Sequence, residues 1–361
     1  MHHAAIHPPE LDLRQAAGAV ALAHGWQRLA AHAVLPTQDA DFISALAETI
    51  AGSDAVSLFR SEHDGRVEAM IALCRAHGPA ARWRQPGAKE LGEPGDALCS
   101  DRAAGVRLAQ VLAETGRPLD FGRMLATSPL VAALRDSMKG RGWVWSRPAA
   151  PCPFIPLDAG WREPESRFSS RRRSDFRRAA RRAAEFGEVT CETIAPTPGE
   201  FDALFDEAAA VEARSWKRAA RTAIACDPAK EAFFRRYFRA ACERGEMRFA
   251  FLRIDGQAAA MHMAVEQAGR YWLFKIGYDE AFARCSPGTL LMLHALRDAA
   301  GRGLAAFELM GNAEDWIADF WTRESHPCVR LRTYPFTAAG LAAIAEDGVA
   351  WMRGRLTRGV A

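Results

Sequence analysis

Runs of apolar residues on either side of an Asp-Gly pair occur once in each half of the chain. The pairs are Asp64-Gly65 and Asp255-Gly256. The flanking runs are residues 56–61 and 67–74 in the first half and residues 247–254 and 258–266 in the second. An Asp-Gly pair between two β-rich runs is a strong signal for a two-residue hairpin turn. The pattern therefore predicts one hairpin in each half.

An amphipathic stretch and then a short strand pattern follow each hairpin. Ser100-Asp101 opens the first stretch, which ends at Gly116, and Ser286-Pro287 opens the second, which ends at Gly303. Serine as N-cap, proline in the first turn and glycine after the last turn are typical helix boundaries. The strands that follow are predicted at residues 119–121 and 306–309, and the second half has an additional strand at residues 270–277 before its helix. The shared order predicts two copies of one α/β unit.

The predicted fold class is α/β (α+β), with tandem units that each contain an antiparallel meander, a crossover helix and a splayed parallel strand pair. Short turns make the successive strands antiparallel, and the strand after the helix then lies parallel to the third strand. This arrangement resembles the core of the acyl-CoA N-acyltransferases (GNAT). Four prolines within residues 146–156 predict the boundary between domains 1–150 and 151–361.

The start of the second amphipathic helix is a candidate anion site. Because the first amides of a helix have no acceptor within it, we expect those of Gly288, Thr289 and Leu290 to be free to bind phosphate. Gly288 would allow close approach, and Arg284 would add a charged contact. Together with Ser286, these residues form the predicted cofactor-binding set. The alternative is that Ser-Pro-Gly-Thr only starts a helix.

The modest net charge of +3 conceals a strongly basic segment. Residues 166–182 contain eight arginines and one acid, a local net charge of +7. Ser174 as N-cap and Gly187 as C-cap predict a helix with one apolar stripe and with Arg177, Arg178 and Arg181 elsewhere on its surface. The arginines are a solvated face, an electropositive rim for an anionic ligand, or a nucleic-acid contact. Few aromatic residues interleave with them, which argues against nucleic acid.

Two carboxylates are candidates for moving a proton. Glu308 is predicted at the end of the strand after the second helix, and Asp279 follows the additional strand. A glutamate at such a position can act as a general base for an amine. The alternative for Glu308 is a carboxylate at a sheet edge. His262 and His294 alternate with apolar residues and are interpreted as structural.

Four segments resemble GNAT-fold acetyltransferases associated with cellulose and exopolysaccharide biosynthesis, which are relatives of the Fem-type aminoacyl transferases. They are, in order, FSSRRRSDFRRA at 168–179, EARSWK at 212–217, GYDE at 277–280 and SPGTLL at 286–291. The resemblance implies acetyl-CoA or another acyl-CoA as donor, no metal, and an amine acceptor that is a small molecule, sugar or amino acid. Glu212, Trp216 and Lys217, with the arginines above, are the expected substrate-binding residues. Glu308 departs from the family, where aspartate is common.

Composition and cysteine spacing reduce the number of protein classes that fit the sequence. No apolar run reaches the roughly 18 residues that a membrane span needs, so we expect a cytoplasmic protein. Eight cysteines without a CxxC pair lack the spacing of a zinc site. The leading hypothesis is direct acyl transfer from acyl-CoA to an amine. Alternatives are a Fem-like transferase that uses charged tRNA and a non-catalytic protein that binds nucleic acid or another anionic polymer on a GNAT scaffold.

Overall fold

The computed structural model describes residues 10–13, 15–52, 55–311 and 315–358, and the chain forms two compact units. Unit 1 consists of Met1–Pro151 together with His326–Ala361, and unit 2 is Cys152–Ser325.

The strands are β1 (Glu10–Asp12), β2 (Val56–His63), β3 (Arg66–Arg75), β4 (Trp83–Arg84), β5 (Leu98–Cys99), β6 (Leu119–Leu125), β7 (Gly142–Pro156), β8 (Val189–Ile194), β9 (Met247–Ile254), β10 (Gln257–Gln267), β11 (Arg270–Tyr278), β12 (Ala306–Glu308) and β13 (Ser325–Pro335). The helices are α1 (Ala16–Leu29), α2 (Ala40–Ala45), α3 (Arg102–Glu114), α4 (Pro129–Ser137), α5 (Ser170–Ala184), α6 (Phe201–Ala213), α7 (Trp216–Ala219), α8 (Pro228–Glu243), α9 (Pro287–Gly301), α10 (Asp315–Phe320) and α11 (Ala338–Arg358).

Unit 2 contains the predicted meander, crossover helix and parallel strand. Strands β8 to β11 are antiparallel neighbours, and β12 returns after α9 to pair in parallel with β11. Left-handed residues form both tight turns, Asp255-Gly256 after β9 and Ala268-Gly269 after β10. Positive φ at both central residues matches the right-handed twist of the strands, so these turns fix the hairpin register. The fold prediction is confirmed here.

Apolar side chains cover both faces of the unit 2 sheet. Tyr271 and Leu273 of β11 lie in one buried cluster with residues of α9 and with Phe176 of α5. Phe274 instead contacts the rings of Tyr237 and Phe238 on α8, with centroid distances of 5.6 and 5.7 Å. The register of β10 against β11 skips Phe274, so this residue is the extra one of a β-bulge. The sheet therefore lies between two helical layers, with α5 and α9 on one face and α8 on the other.

Unit 1 repeats the same order of elements. Strands β2, β3 and β4 are antiparallel, and β6 pairs in parallel with β4 after the crossover helix α3. The sequence pattern missed β4, because two residues followed by Pro86 and Gly87 carry no alternation. Beyond the β4–β6 pairing, Gly95 forms a parallel bridge with Met124. The chain that follows β4 therefore occupies part of the edge of β6.

Two predicted helix boundaries are wrong. Helix α5 begins at Ser170 with Ser169 as N-cap, whose hydroxyl accepts from the amide of Arg172 at 3.4 Å, so Ser174 lies inside the helix. Both serines precede acceptable helical sequence, so local sequence alone does not distinguish them. The helix ends at Ala184 rather than at Gly187. Helix α9 ends at Gly301 with Arg302 as C-cap, and the predicted Gly303 follows with a φ of 77°, the left-handed conformation that glycine favours after a helix.

The proline-rich stretch is extended backbone within β7 and contains the division between the units, at Pro151–Cys152. The sequence assigned residues 326–361 to the second domain, whereas the structure groups them with unit 1. Strand β13 pairs with β6 there, and the buried Arg82 guanidinium donates to Asp347 of α11 at 3.0 Å and to the Ala343 carbonyl at 2.6 Å. Pairing between segments so far apart leaves no local pattern in the sequence. Of the described helices, none is long and apolar enough to cross a membrane.

A buried histidine lies in the middle of the unit 2 sheet. His262 of β10 is opposite Ile276 of β11 and is only 3% exposed, and its Nδ1 atom has no hydrogen-bond partner among the described residues. Burial, followed by the charges of His294 and Lys217, lowers the pKa of His262 to about 3. The imidazole is therefore neutral in the native protein at neutral and mildly acidic pH.

We expect His262 to make the protein sensitive to acid. Between the ordinary pKa of 6.5 and the native pKa of about 3, the unfolded chain binds a proton that the native chain does not. The free energy of unfolding should therefore fall as the pH falls through this window, by roughly 1 kcal/mol per pH unit from this group. Melting temperatures measured from pH 7 to pH 4.5 should fall less steeply for His262→Leu. His24→Leu, at an exposed position of α1, is the control. Identical slopes for all three proteins would contradict this account.

Candidate functional site

The parallel strands of unit 2 separate after one short stretch of pairing. The register pairs Arg270 with Ala306 and ends with Trp272 opposite Glu308, whereas β11 continues to Tyr278. The other side of β12 is taken by the end of β7. Six residues of β11 therefore continue past the last pair with β12, as the predicted splay requires.

Backbone groups of β11 alternate between the β10 side and this open edge. The amide of Asp279 donates to the Ala259 carbonyl of β10 at 2.9 Å. Because alternate residues of an antiparallel strand direct their amide and carbonyl groups to opposite edges, those of Gly277 also face β10. The amides and carbonyls of Ile276 and Tyr278 therefore point to the open edge, where an extended ligand could pair with them.

Lys217, in the short helix α7 that follows α6, reaches this open edge of β11. The Nζ atom of Lys217 donates to the Ile276 carbonyl at 2.5 Å and to Glu212 Oε1 at 3.0 Å. The second oxygen of Glu212 accepts from the Ile224 amide at 2.7 Å, and the Glu212 side chain is fully buried. Burial of a charge is favourable only when it is paired and hydrogen-bonded, and both conditions are met. We call Glu212, Lys217 and the Ile276 carbonyl the lysine clamp.

The lysine clamp depends on close contact between α6 and β11. A Cβ atom at Gly277 would lie 3.0 Å from the Cα of Glu212, so a side chain there would push the helix end away from the strand by a few tenths of an ångström. Arg214 reinforces the contact, since its Nε atom lies 2.5 Å from Asp279 Oδ2 and its carbonyl accepts from the Glu280 amide at 3.3 Å. The segments EARSWK and GYDE therefore meet in space.

The predicted base Asp279 has structural partners on both oxygens. One oxygen pairs with Arg214, and the other accepts from the Ala281 amide at 2.9 Å, which caps the 3₁₀ turn Glu280–Cys285. The side chain is 5% exposed. These contacts position the end of β11, and they favour a supporting role for this carboxylate over direct proton transfer.

Glu308 lies at the point where β11 and β12 separate. The sequence left open that it is a carboxylate at a sheet edge, but β12 has neighbours on both sides. Its carboxylate is almost completely buried and forms an ion pair with Arg270 at the start of β11. A buried carboxylate with a guanidinium partner is held in one position.

The start of α9 offers fewer free amides than the sequence predicted. Ser286 adopts a left-handed conformation with φ of 49°, and its carbonyl accepts from the amides of Thr289 at 3.0 Å and Leu290 at 3.3 Å. The prediction that these two amides are free is therefore wrong, because the N-cap carbonyl is already their acceptor. The amide of Gly288 precedes these bonds, and Pro287 has no amide hydrogen. Gly288, Thr289 and Leu290 are partly exposed, so the helix start is accessible.

The basic helix approaches the start of α9. Arg182 Nη1 lies 3.5 Å from the carbonyl of Arg284, and the Arg284 guanidinium is 3.6 Å from Glu185. Arg178 pairs with Asp175 on the same helix. Arg177 and Arg181 are exposed and have no partner among the residues that the structure describes. Cationic groups are thus concentrated where the sequence predicted a phosphate site.

Trp216 lies beside the lysine clamp with its side chain 49% exposed. It begins the short helix α7, and Ser215 caps this helix by accepting from the Lys217 amide at 3.3 Å. The indole is available to a ligand that approaches the clamp. Sequence reasoning missed Arg214, Arg270 and Tyr278, although Arg214 and Tyr278 fall within the segments EARSWK and GYDE.

Two cavities in unit 1 involve none of the predicted site residues. They have volumes of about 50 and 390 Å³, and residues 85–88 line both. Within the described part of the chain, no group of three or more His, Cys, Asp or Glu side chains is arranged to hold a metal ion. The predicted residues instead lie along the open strand edge of unit 2.

Comparison with known proteins relates this site to a family. A family model for the acetyltransferase (GNAT) domain matches residues 170–316, which include α5, the lysine clamp and the start of α9. No curated protein matches the sequence at a significant level.

Solved structures resemble almost the whole chain. The DUF2156 domain of a protein named as a lysylphosphatidylglycerol synthetase from Agrobacterium fabrum is 16% identical, with a TM-score of 0.51 over 90% of this chain and 95% of that one. FemX is 11% identical, with a TM-score of 0.51 over 81% and 91% of the chains. A protein of unknown function from Bacteroides thetaiotaomicron is 11% identical, with a TM-score of 0.53 over 86% of this chain and 97% of that one. At these identities the likeness is one of fold, and residues 170–316 are similar to the GNAT acetyltransferase domain.

Proposed function

We propose that the protein is an acyl-CoA-dependent N-acyltransferase that transfers an acyl group directly to an amine. The observation that carries this proposal is the separation of β11 from β12, with the start of α9 beyond it. Such an edge can hydrogen-bond an extended arm while the helix start binds its phosphates. The sequence resemblance adds that the acceptor is a small molecule, sugar or amino acid in cytoplasmic polysaccharide or cell-envelope metabolism.

In this proposal the donor enters along the open edge of β11. Its pyrophosphate lies near the Gly288 amide, with Arg284 and Arg182 as charged contacts, and its thioester lies along the open edge of β11, between Ile276 and the point of strand separation. The exposed indole of Trp216 would contact the acceptor. Holding donor and acceptor together supplies the part of the rate enhancement that comes from proximity.

The transfer step needs no covalent enzyme intermediate. The amine nitrogen uses its lone pair to bond to the acyl carbon, the C–S bond breaks, and the thiolate leaves with that electron pair. The proton lost by the amine passes through Glu308 to solvent, and the thiolate takes a proton from solvent. The products are an amide and CoA. Glu308 is preferred to Asp279 because it lies at the strand separation.

Replacing Gly288 by valine should weaken CoA binding. A Cβ at this position would meet only the Tyr278 ring, at 3.6 Å, so we expect a folded variant whose added methyl groups obstruct the phosphate site. Isothermal titration calorimetry with CoA measures the effect. Gly301→Val, at the other end of α9 with nothing near its Cβ position, is the control. Equal CoA affinity in Gly288→Val and the wild type would remove the phosphate site from this helix start.

Replacing Glu308 by glutamine should slow transfer by about 10²–10⁴ when donor and amine are both bound, because the proton then has no carboxylate to accept it. The measurement is kcat from thiol release at saturating substrates across a pH series. Arg270→Gln removes the partner of Glu308 but leaves the carboxylate, and it should retain more activity. A full rate in Glu308→Gln at every pH would reassign the carboxylate to structure.

A Fem-like aminoacyl transferase is the second candidate function. The observation in its favour is the exposed surface of α5, where Arg177 and Arg181 have no partner among the described residues. A row of free guanidinium groups binds phosphates of RNA as readily as those of a nucleotide cofactor. On this alternative the arginines hold charged tRNA, and on the leading proposal they form a rim that attracts acyl-CoA.

Replacing Arg177, Arg178, Arg181 and Arg182 by glutamine separates the two functions. A rim should give slower association of CoA and a weaker dependence of that rate on salt, since exposed charges act over about 8–10 Å. An RNA site should instead give a wild-type protein whose affinity for tRNA falls steeply with salt and a variant that loses tRNA but keeps CoA. Filter binding with tRNA beside stopped-flow CoA binding makes the measurement. No change in either ligand would return the arginines to a solvated surface.

A further inference from the structure

The ammonium of Lys217 has one N–H more than its two acceptors in the described part of the chain use. An ammonium has three donors, and those of Lys217 are directed to Glu212 and to the Ile276 carbonyl. For the third there is no partner among the described residues. Because the Ile276 carbonyl points to the open edge of β11, the free N–H lies at that edge, close to the path of a ligand arm.

Lys217 changes what the strand edge offers to a ligand. Without it, the Ile276 carbonyl would be a free acceptor for an N–H group of the arm. With it, one lone pair of that oxygen is taken, and the edge presents a charged donor beside it. A ligand can therefore place an oxygen acceptor at this position. In a thioester substrate, the acyl carbonyl oxygen is such a group.

Glu212 makes the donor rigid. Both of its oxygens are engaged, by Lys217 and by the Ile224 amide, and the side chain is fully buried. The Lys217 side chain itself is 16% exposed. A donor that is already fixed by its neighbours needs no reorganisation during reaction, which is the condition under which hydrogen bonds to a developing oxyanion are most effective.

We infer that Lys217 is a catalytic residue whose ammonium binds the acyl carbonyl oxygen in the splay, and that Glu212 positions it. The inference rests on the proposed acyl transfer and names a side chain for the polarising contact. When the amine nitrogen bonds to the acyl carbon, the carbonyl π electrons move to the oxygen beside Lys217. They return as the C–S bond breaks and the thiolate leaves with its electron pair. Lys217 donates a hydrogen bond throughout and transfers no proton.

A purely structural lysine clamp is the competing explanation, and paired variants distinguish the two. Lys217→Met alone leaves a buried carboxylate without its cation, so it should be less stable. Glu212→Gln together with Lys217→Met removes both charges and keeps an oxygen for the Ile224 amide, so the double variant should regain stability. If Lys217 binds the oxyanion, the double variant should still lose about 10²–10³ in kcat, the usual effect of removing one such donor.

Lys275→Met is the matched control. Lys275 is on the same strand, and its Nζ atom lies 4.4 Å from the Phe234 ring centroid, so the change removes an equal charge at another position. We expect kcat close to the wild-type value for this control. CoA, which lacks an acyl carbonyl, should bind the wild type and the double variant equally well in calorimetry.

A measurement on the unchanged protein supports the test if the variants fold poorly. Acetyl-CoA and S-ethyl-CoA differ in the carbonyl oxygen, so the wild type should bind acetyl-CoA roughly two- to tenfold more tightly, the value of one net hydrogen bond. Equal affinities, or a folded double variant with undiminished kcat, would overturn the role of Lys217 and leave the proposed transferase intact. A wild-type protein that binds neither compound would overturn the acyl-CoA function itself, and the role of Lys217 with it.

Discussion

The buried ion pair between Glu212 and Lys217 is the interaction on which the arrangement of unit 2 depends. It joins the end of α6 to the open edge of β11 through the Ile276 carbonyl. An ion pair at this depth is favourable only with its hydrogen bonds complete, so the carbonyl and the Ile224 amide are required parts of it. Gly277 favours this close approach, because a Cβ there would lie only 3.0 Å from the Glu212 Cα. The strand end, the helix end and the turn into α7 are thereby fixed together.

Charged side chains around the open edge of β11 are of two kinds, those buried in ion pairs and those exposed. Each buried carboxylate, namely Glu212, Asp279 and Glu308, has a cationic partner on a neighbouring element. The exposed cations, by contrast, collect near the start of α9, where Arg182 and Arg284 meet. Paired charges hold elements in place, whereas unpaired exposed charges can attract a ligand. The molecule uses the first kind at the strand separation, and the second kind, Arg177 and Arg181, lies exposed on α5.

Unit 1 has the same order of elements as unit 2, but its corresponding strand edge is occupied differently. Strand β4 pairs in parallel with β6. The chain that follows β4 forms a bridge with β6 at Gly95 and then pairs with β3 through β5. The edge corresponding to the open one in unit 2 is thus partly occupied by unit 1 itself. A shared fold therefore does not give the two units the same capacity to bind an extended ligand, because the connection after the third strand decides it.

The sequence by itself determined the elements that local chemistry controls. Asp-Gly turns specified the hairpins, apolar periodicity indicated α3, α5 and α9, and the order of these patterns gave the repeated unit and the parallel strand after each crossover helix. It also identified the segments EARSWK, GYDE and SPGTLL. Turn conformation and periodicity depend on a few neighbouring residues, so they can be read from a single chain.

Only the tertiary structure decided which residues meet. The contact of Lys217 with the Ile276 carbonyl and the pairing of Arg270 with Glu308 join positions 59 and 38 residues apart, respectively. The sequence likewise did not predict that the amides at the start of α9 are occupied or that β13 belongs to unit 1. Such contacts follow from strand register and from helices packing on a sheet, which involve distant segments whose patterns are equally compatible with other partners.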